Sequence, residues 1–183
     1  YNSGYCKAIL CRVERKRYLR ETLLCSGISG GLAVFLPVLL SDIVWIINGE
    51  PNTGEQMGIN YFTVFDGTVY GELQFVWNGF FLVLFLLLLA FLFGASWSVI
   101  GLCVSALIPN RYITLAAPFA LFFGAHLILY RLDKPLLFSP ANVLMPATDF
   151  IPFPAFPLLY QLGMLALASA LCWKLLERRL RDV

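Results

Sequence analysis

Two ionisable side chains, Asp42 and His126, fall inside long apolar stretches of this 183-residue chain. A carboxylate inside a membrane is costly and by default marks an ion or proton path. Asp42 sits only six residues before Asn48, near the end of its stretch, where partial solvation would lower that cost. His126 is the only histidine. A lone histidine in a span reads first as a hydrogen-bonded packing residue and second as a proton relay or ligand. A third group is the basic run CRVERKRYLRET, which carries Arg12, Arg15, Lys16, Arg17, Tyr18 and Arg20. It reads either as a helix that docks on a partner or as orienting charge drawn to anionic headgroups. One histidine excludes an HExxH site and histidine-cluster metal chemistry. The five cysteines (Cys6, Cys11, Cys25, Cys103 and Cys172) form no CxxC pair and read as free thiols. GxSxG, Walker A and dinucleotide fingerprints are missing as well. Catalysis, metal binding and nucleotide binding are therefore not expected of this chain. A lipid-active membrane enzyme would have only Asp42 and His126 to work with.

The elements that must position these residues are membrane spans. Hydrophobic residues make up 60% of the chain and charged ones 13%, against roughly 45–50% and about 25% in soluble domains. Four stretches approach or exceed the roughly 20 apolar residues that a membrane helix needs. They are Ile28–Asn48, Asn78–Ile108, Tyr112–Tyr130 and Pro157–Leu175. Runs such as Phe80–Phe93 show no alternation of period two, which excludes a barrel. The expected fold is an all-α, polytopic transmembrane bundle. It comprises a basic segment (1–25), a membrane domain (26–183), and outer loops at 49–77 and 131–156.

Orientation follows from lysine and arginine. Lys7, Arg12, Arg15, Lys16, Arg17, Arg20, Arg111, Lys174, Arg178, Arg179 and Arg181 fall on one side of a four-span arrangement, 11 of the 13 basic residues. That side is expected to be cytoplasmic, which puts both termini of this stretch there and the protein in the cell membrane. The loop from Gly49 to Trp77 holds Glu50, Glu55, Asp66 and Glu72 and no basic residue. The 131–156 loop is too apolar for a solvated linker and too broken by proline for a span. A short helix lying at the interface or re-entering the membrane fits it. Basic residues beside spans, rather than on an aromatic-interleaved face, also argue against a nucleic-acid partner.

Ala90, Gly94, Ser98, Gly101 and Ser105 share one face of the second span. Small faces let membrane helices approach closely. Ala116, Ala120 and Gly124 repeat the device in the third span, and Gly163, Ala166 and Ala170 in the fourth. Packing within the bundle is the first reading, and a pathway or dimer seam the second. Pro37 and Pro118 lie inside spans and can kink them. Trp45, Gln74, Trp77 and Asn78 fit an interfacial belt, and Trp97 lies deeper.

The order of these features resembles the type-2 permeases of bacterial ATP-binding-cassette exporters. The stretch RVERKRYLRETLLCSGISGGLAVFLP is similar to their basic segment running into a Gly-rich span. LFGASWSVIGLCVSALIPNRYITLAAPF is similar to their paired central helices with a tight polar turn. FSPANVLMP, FPLLYQL and KLLERRLRDV resemble the broken outer segment, last span and basic tail. The resemblance implies a six-span plan of which these would be the last four, with the chain, which begins at Tyr1, a piece of a longer protein. It also implies a coupling helix within residues 11–22, a second permease copy or homologue, membrane lipids around the bundle, and a separate ATPase chain carrying ATP and magnesium. The transported compound would be hydrophobic, a peptide or lipid-like. A non-transporting membrane subunit (immunity, assembly or sensor) is the alternative expectation.

Overall fold

The computed structural model describes residues 14–48, 68, 70, 80–108, 110–131, 138–144 and 153–181. Five helices appear in order: α1 (Arg15–Asn48), α2 (Phe80–Leu107), α3 (Arg111–Arg131), α4 (Pro140–Leu144) and α5 (Phe156–Arg181). No strand occurs among the described residues. Four of the helices are long and apolar enough to cross a membrane. The chain is thus an all-α protein with the make-up of a multi-pass membrane protein. Arg12, Gln74, Trp77, Asn78 and nearly all of the 49–77 loop lie outside the described residues, as does the side chain of Trp45.

The first span starts earlier than its apolar composition suggests. α1 has 34 residues, about 51 Å at 1.5 Å per residue, and runs unbroken from the basic run to Asn48. A bilayer core is about 30 Å thick. From Thr22 to Ser41 no Asp, Glu, Lys or Arg occurs, about 20 residues or 30 Å. The basic turns therefore project beyond the apolar slab as a continuation of the same helix. No residue in Glu14–Thr22 is proline or glycine, so nothing in the sequence breaks the helix there. α5 behaves alike at its other end, continuing through Lys174 to Arg181.

α2 is the hub and touches α1, α3, α4 and α5. It runs antiparallel to α1. Their crossing is set by Gly30 and Gly94: a Cβ on Gly30 would come within 2.8 Å of the Gly94 carbonyl oxygen, and one on Gly94 within 2.8 Å of Val34 Cγ2 and closer still to the Gly30 oxygen. Gly31 gives room to the ring of Phe91, which meets Phe35 edge-on at 6.4 Å. Ser98 Oγ donates to the Ser26 carbonyl at 2.8 Å, and the two hydroxyls lie 3.0 Å apart.

α5 runs parallel to α2. Leu19, Val99, Ala168, Cys172 and Leu176 form one buried cluster that joins α1, α2 and α5 at the basic end. At the opposite end Tyr70, Leu82 and Leu86 form a second, with Phe85 and Phe156 against it. α3 is held more loosely. Phe122 meets Phe93 and Trp97 of α2 edge-on, at 5.7 Å each, while Leu115, Phe119, Leu127 and Ile128 are exposed.

Candidate functional site

The basic end is built by two helix termini. Arg15, Lys16, Arg17 and Arg20 are exposed on α1, and Leu19 between them is buried. Tyr18 N donates to Glu14 O at 3.0 Å, so helical bonding begins at the first described residue. Arg17 Nε donates to Glu21 Oε1 at 2.8 Å. That bond, and then the Glu21 charge, raise the Arg17 pKa above its usual value. An exposed pair of this kind contributes little stability. α1 has no acid in its first turn, so three cations sit at the positive end of the helix dipole, where an anion would be favoured. Lys174 and Arg178 are exposed near the end of α5. Leu19 shares its buried cluster with Cys172 and Leu176. The antiparallel register therefore brings Arg20 level with Lys174, and Lys16 level with Arg178, to within about one helical turn.

The small face of α2 is divided among its neighbours. Gly94 and Ser98 receive α1. A Cβ on Gly101 would touch Pro118 Cγ of α3 at 3.4 Å. Ser105 Oγ donates to its own helix, at the Leu102 carbonyl, 2.7 Å away. The matching stripes on α3 and α5 are not packed against other described residues. Ala116, Ala120, Gly163, Ala166 and Ala170 are exposed. Nothing lies within 4 Å of a Cβ placed on Gly124 or Gly163.

Asp42 is 4% exposed, so protein rather than solvent surrounds it. It follows Phe35 by two helical turns on the α1 face turned to α2. By the register of the Gly30–Gly94 crossing it lies level with Leu82 and Leu86, at the end of the apolar slab. His126 lies on α3, five residues before its end at Arg131. Its Nδ1 shares a hydrogen bond of 2.7 Å with Ser139 Oγ, which ties α3 to the start of α4. Ser139 is fully buried, and no described acid bonds the other ring nitrogen of His126. Among the described residues, then, no acid orients the pair as a nucleophile and its base would require. No group of three potential metal ligands occurs among the described residues.

Four features escaped sequence reasoning. Gln161 of α5 is 1% exposed, and its Oε1 has no hydrogen-bond partner among the described residues. The signal was a single amide in an otherwise apolar span. The buried indole N–H of Trp97 is likewise without a hydrogen-bond partner among the described residues. Tyr70 is buried. Its hydroxyl donates to Pro154 O at 2.8 Å, and its ring stacks on Phe85 at 5.4 Å. Burial raises its pKa to about 12. An apolar groove of about 510 Å³ also lies along α1 and α2, lined by Phe35, Phe81, Leu84, Phe85, Leu88 and Phe91.

Comparison with protein-family models, with curated proteins and with solved structures returns no match.

Proposed function

We propose that this chain is a transmembrane permease subunit of an ATP-driven exporter of the ATP-binding-cassette type, worked by a separate ATPase chain. The basic end would face the cytoplasm, as the positive-inside rule favours. The observation that carries the reading is the unbroken helix from Arg15 to Asn48. A partner seated on Arg15, Lys16 and Arg17 would act on the first span directly, with no flexible joint between. The motion would pass to α2 through the buried cluster that holds Leu19 and Val99 and through Ser26–Ser98. Transport would then follow from differential contacts of the two partner states with the spans. ATP and magnesium belong to that partner, and a second permease copy would complete the assembly. Reversal of charge at R15E/K16E/R17E should separate ATP hydrolysis from transport in reconstituted vesicles holding both chains. Unchanged coupling would sink the docking role.

A non-transporting membrane subunit is favoured by a different observation: the α1–α2 seam is closed by direct glycine and serine contact. Copurification separates the two. An ATPase that stays bound to the wild type and leaves the triple variant supports the exporter reading.

A further inference from the structure

We infer that Cys103 of α2 and Cys172 of α5 form a redox pair. A quinone dissolved in the bilayer takes two electrons and two protons from their thiols, and the disulfide left behind ties α5 to α2 at the basic end. The inference does not depend on the exporter reading.

The two thiols meet across one seam. Cys103 Sγ donates to the Ala168 carbonyl of α5 at 3.5 Å, one helical turn before Cys172. The thiols of Cys103 and Cys172 are hydrogen-bonded to each other. Cys172 is fully buried in the cluster that joins α1, α2 and α5, and Cys103 packs against that cluster, half-buried. A disulfide needs sulfurs that approach to about 2 Å from side chains aimed at one another. Two thiols already in contact across packed helices start near that arrangement. The bond would also fall where it changes most. α1 and α2 are joined by backbone contact at Gly30 and Gly94, whereas the one glycine of α5, Gly163, has no described atom within 4 Å of its Cβ position. Side chains alone hold α5 to its neighbours at this end, so a covalent tie replaces a joint that can yield.

The surroundings select the oxidant. α2 carries no charged residue, and α5 carries none before Lys174. Both sulfurs therefore lie in the apolar slab, where an ion is costly. A metal held by two thiolates would bring charge into it, and no group of three potential ligands occurs among the described residues. Conversion to a disulfide leaves no charge behind. The two S–H bonds break and one S–S bond forms. The two hydrogens, with their electrons, pass to the two quinone oxygens, so the thiols are oxidised and the quinone is reduced to hydroquinone. Every species is neutral, and a quinone travels in the same slab that holds the sulfurs. Cys103, the half-buried member, is the one it reaches. Cys172, fully buried, then closes the bond.

The test uses the whole chain in detergent micelles, carrying C6S/C11S/C25S so that this pair alone remains. The reduced protein is mixed with a fully substituted short-chain ubiquinone, and free thiols are counted by mass spectrometry after denaturation. Both thiols should vanish, with loss of two hydrogens per chain and formation of one hydroquinone, and dithiothreitol should restore them. The further change C172S/L171C moves one thiol to a position that is 60% exposed. It should close at least about tenfold more slowly, because its side chain points away from Cys103. The oxidised chain should unfold about 5 °C or more above the reduced one, since the bond closes a long loop. C103S should show no such effect of the quinone. Circular dichroism checks that each variant keeps its helices; should one lose them, the thiol count on the intact pair still decides. Retention of both thiols in the folded chain overturns the pair. So does closure of C172S/L171C at the same rate, a bond between two chains rather than within one, or a disulfide that forms with water-soluble diamide but not with the quinone.

Discussion

Replacing Gly94 by alanine should damage this bundle far more than the same change at Gly124 or Gly163. A Cβ on Gly94 would collide with the backbone oxygen of Gly30 and lie 2.8 Å from Val34 Cγ2. The valine methyl can turn away, but the carbonyl cannot move without α1. Forced overpacking of a filled interior costs typically 1–3 kcal/mol. Separating the helices also strains the Ser98–Ser26 bond of 2.8 Å, and interhelical bonds of this kind average about 0.6 kcal/mol in membranes. The expected loss for Gly94→Ala is therefore about 2–4 kcal/mol. At Gly124 and Gly163 nothing lies within 4 Å of the added methyl. There the greater helix preference of alanine, up to about 1 kcal/mol, should leave stability unchanged or raise it. The assay is unfolding in mixed micelles of rising denaturing-detergent content, followed by circular dichroism. The reasoning fails if Gly94→Ala falls within about 0.5 kcal/mol of wild type, the usual range for substitutions that disturb nothing. It fails equally if Gly124→Ala is as harmful.

Two further outcomes are expected. Tyr70→Phe removes the bond to the Pro154 carbonyl and should cost about 1 kcal/mol; it should also delete a tyrosinate step near pH 12 in an ultraviolet titration. The sign follows from linkage: the folded pKa is raised above the ordinary 10, so the stability that Tyr70 contributes is complete below pH 10 and lost as pH climbs toward about 12. His126→Ala leaves the buried Ser139 hydroxyl without its partner and should cost about 1–3 kcal/mol. The double variant with Ser139→Ala should cost less than the sum of the two single changes, and strict additivity in thermal unfolding would show that the 2.7 Å contact contributes nothing.

The spans were legible because their signal is composition over length. Lipid demands about 20 apolar residues whatever the neighbours, and α2, α3 and α5 begin within two residues of the apolar runs that predict them. The start of α1 was not legible in the same way. Hydropathy falls at Glu21, whereas helix propensity does not: Arg15–Glu21 contains neither glycine nor proline. The helix follows propensity and passes through the interface. The small-residue stripes show the opposite limit. Their spacing on α2, α3 and α5 is alike, yet Gly94 is in contact and Gly124 and Gly163 are open. Spacing marks a face that can be approached, and only tertiary structure says which one is. Asp42 shows a similar limit. Its distance from the span end says how deep it lies but not what covers it, and its two-turn relation to Phe35 turns it toward α2, where it is 4% exposed.

The unequal seams of the bundle bear on how it could work. α1, α2 and α5 share a buried cluster at the basic end, and α1 and α2 are further locked by glycine contact and serine bonds. Closely approached backbones have no side chain that can change rotamer to absorb a displacement, so α1 and α2 behave as one body, to which α5 is joined through the side chains of that cluster. α3 meets that body chiefly through rings: Phe122 against Phe93 and Trp97, with Phe123 beside it. Ring contacts can slide between offset and edge-on arrangements at modest cost. Lipid is as apolar as leucine, so the exposed face of α3 loses little when α3 moves relative to the trio. On the exporter reading, a load placed on Arg15–Arg17 reaches α2 without slack, and the soft joint lies between α2 and α3. The His126–Ser139 bond then couples movement of α3 to α4 at the far end. Loss of that bond should therefore weaken transport more than it weakens attachment of a partner at the basic end.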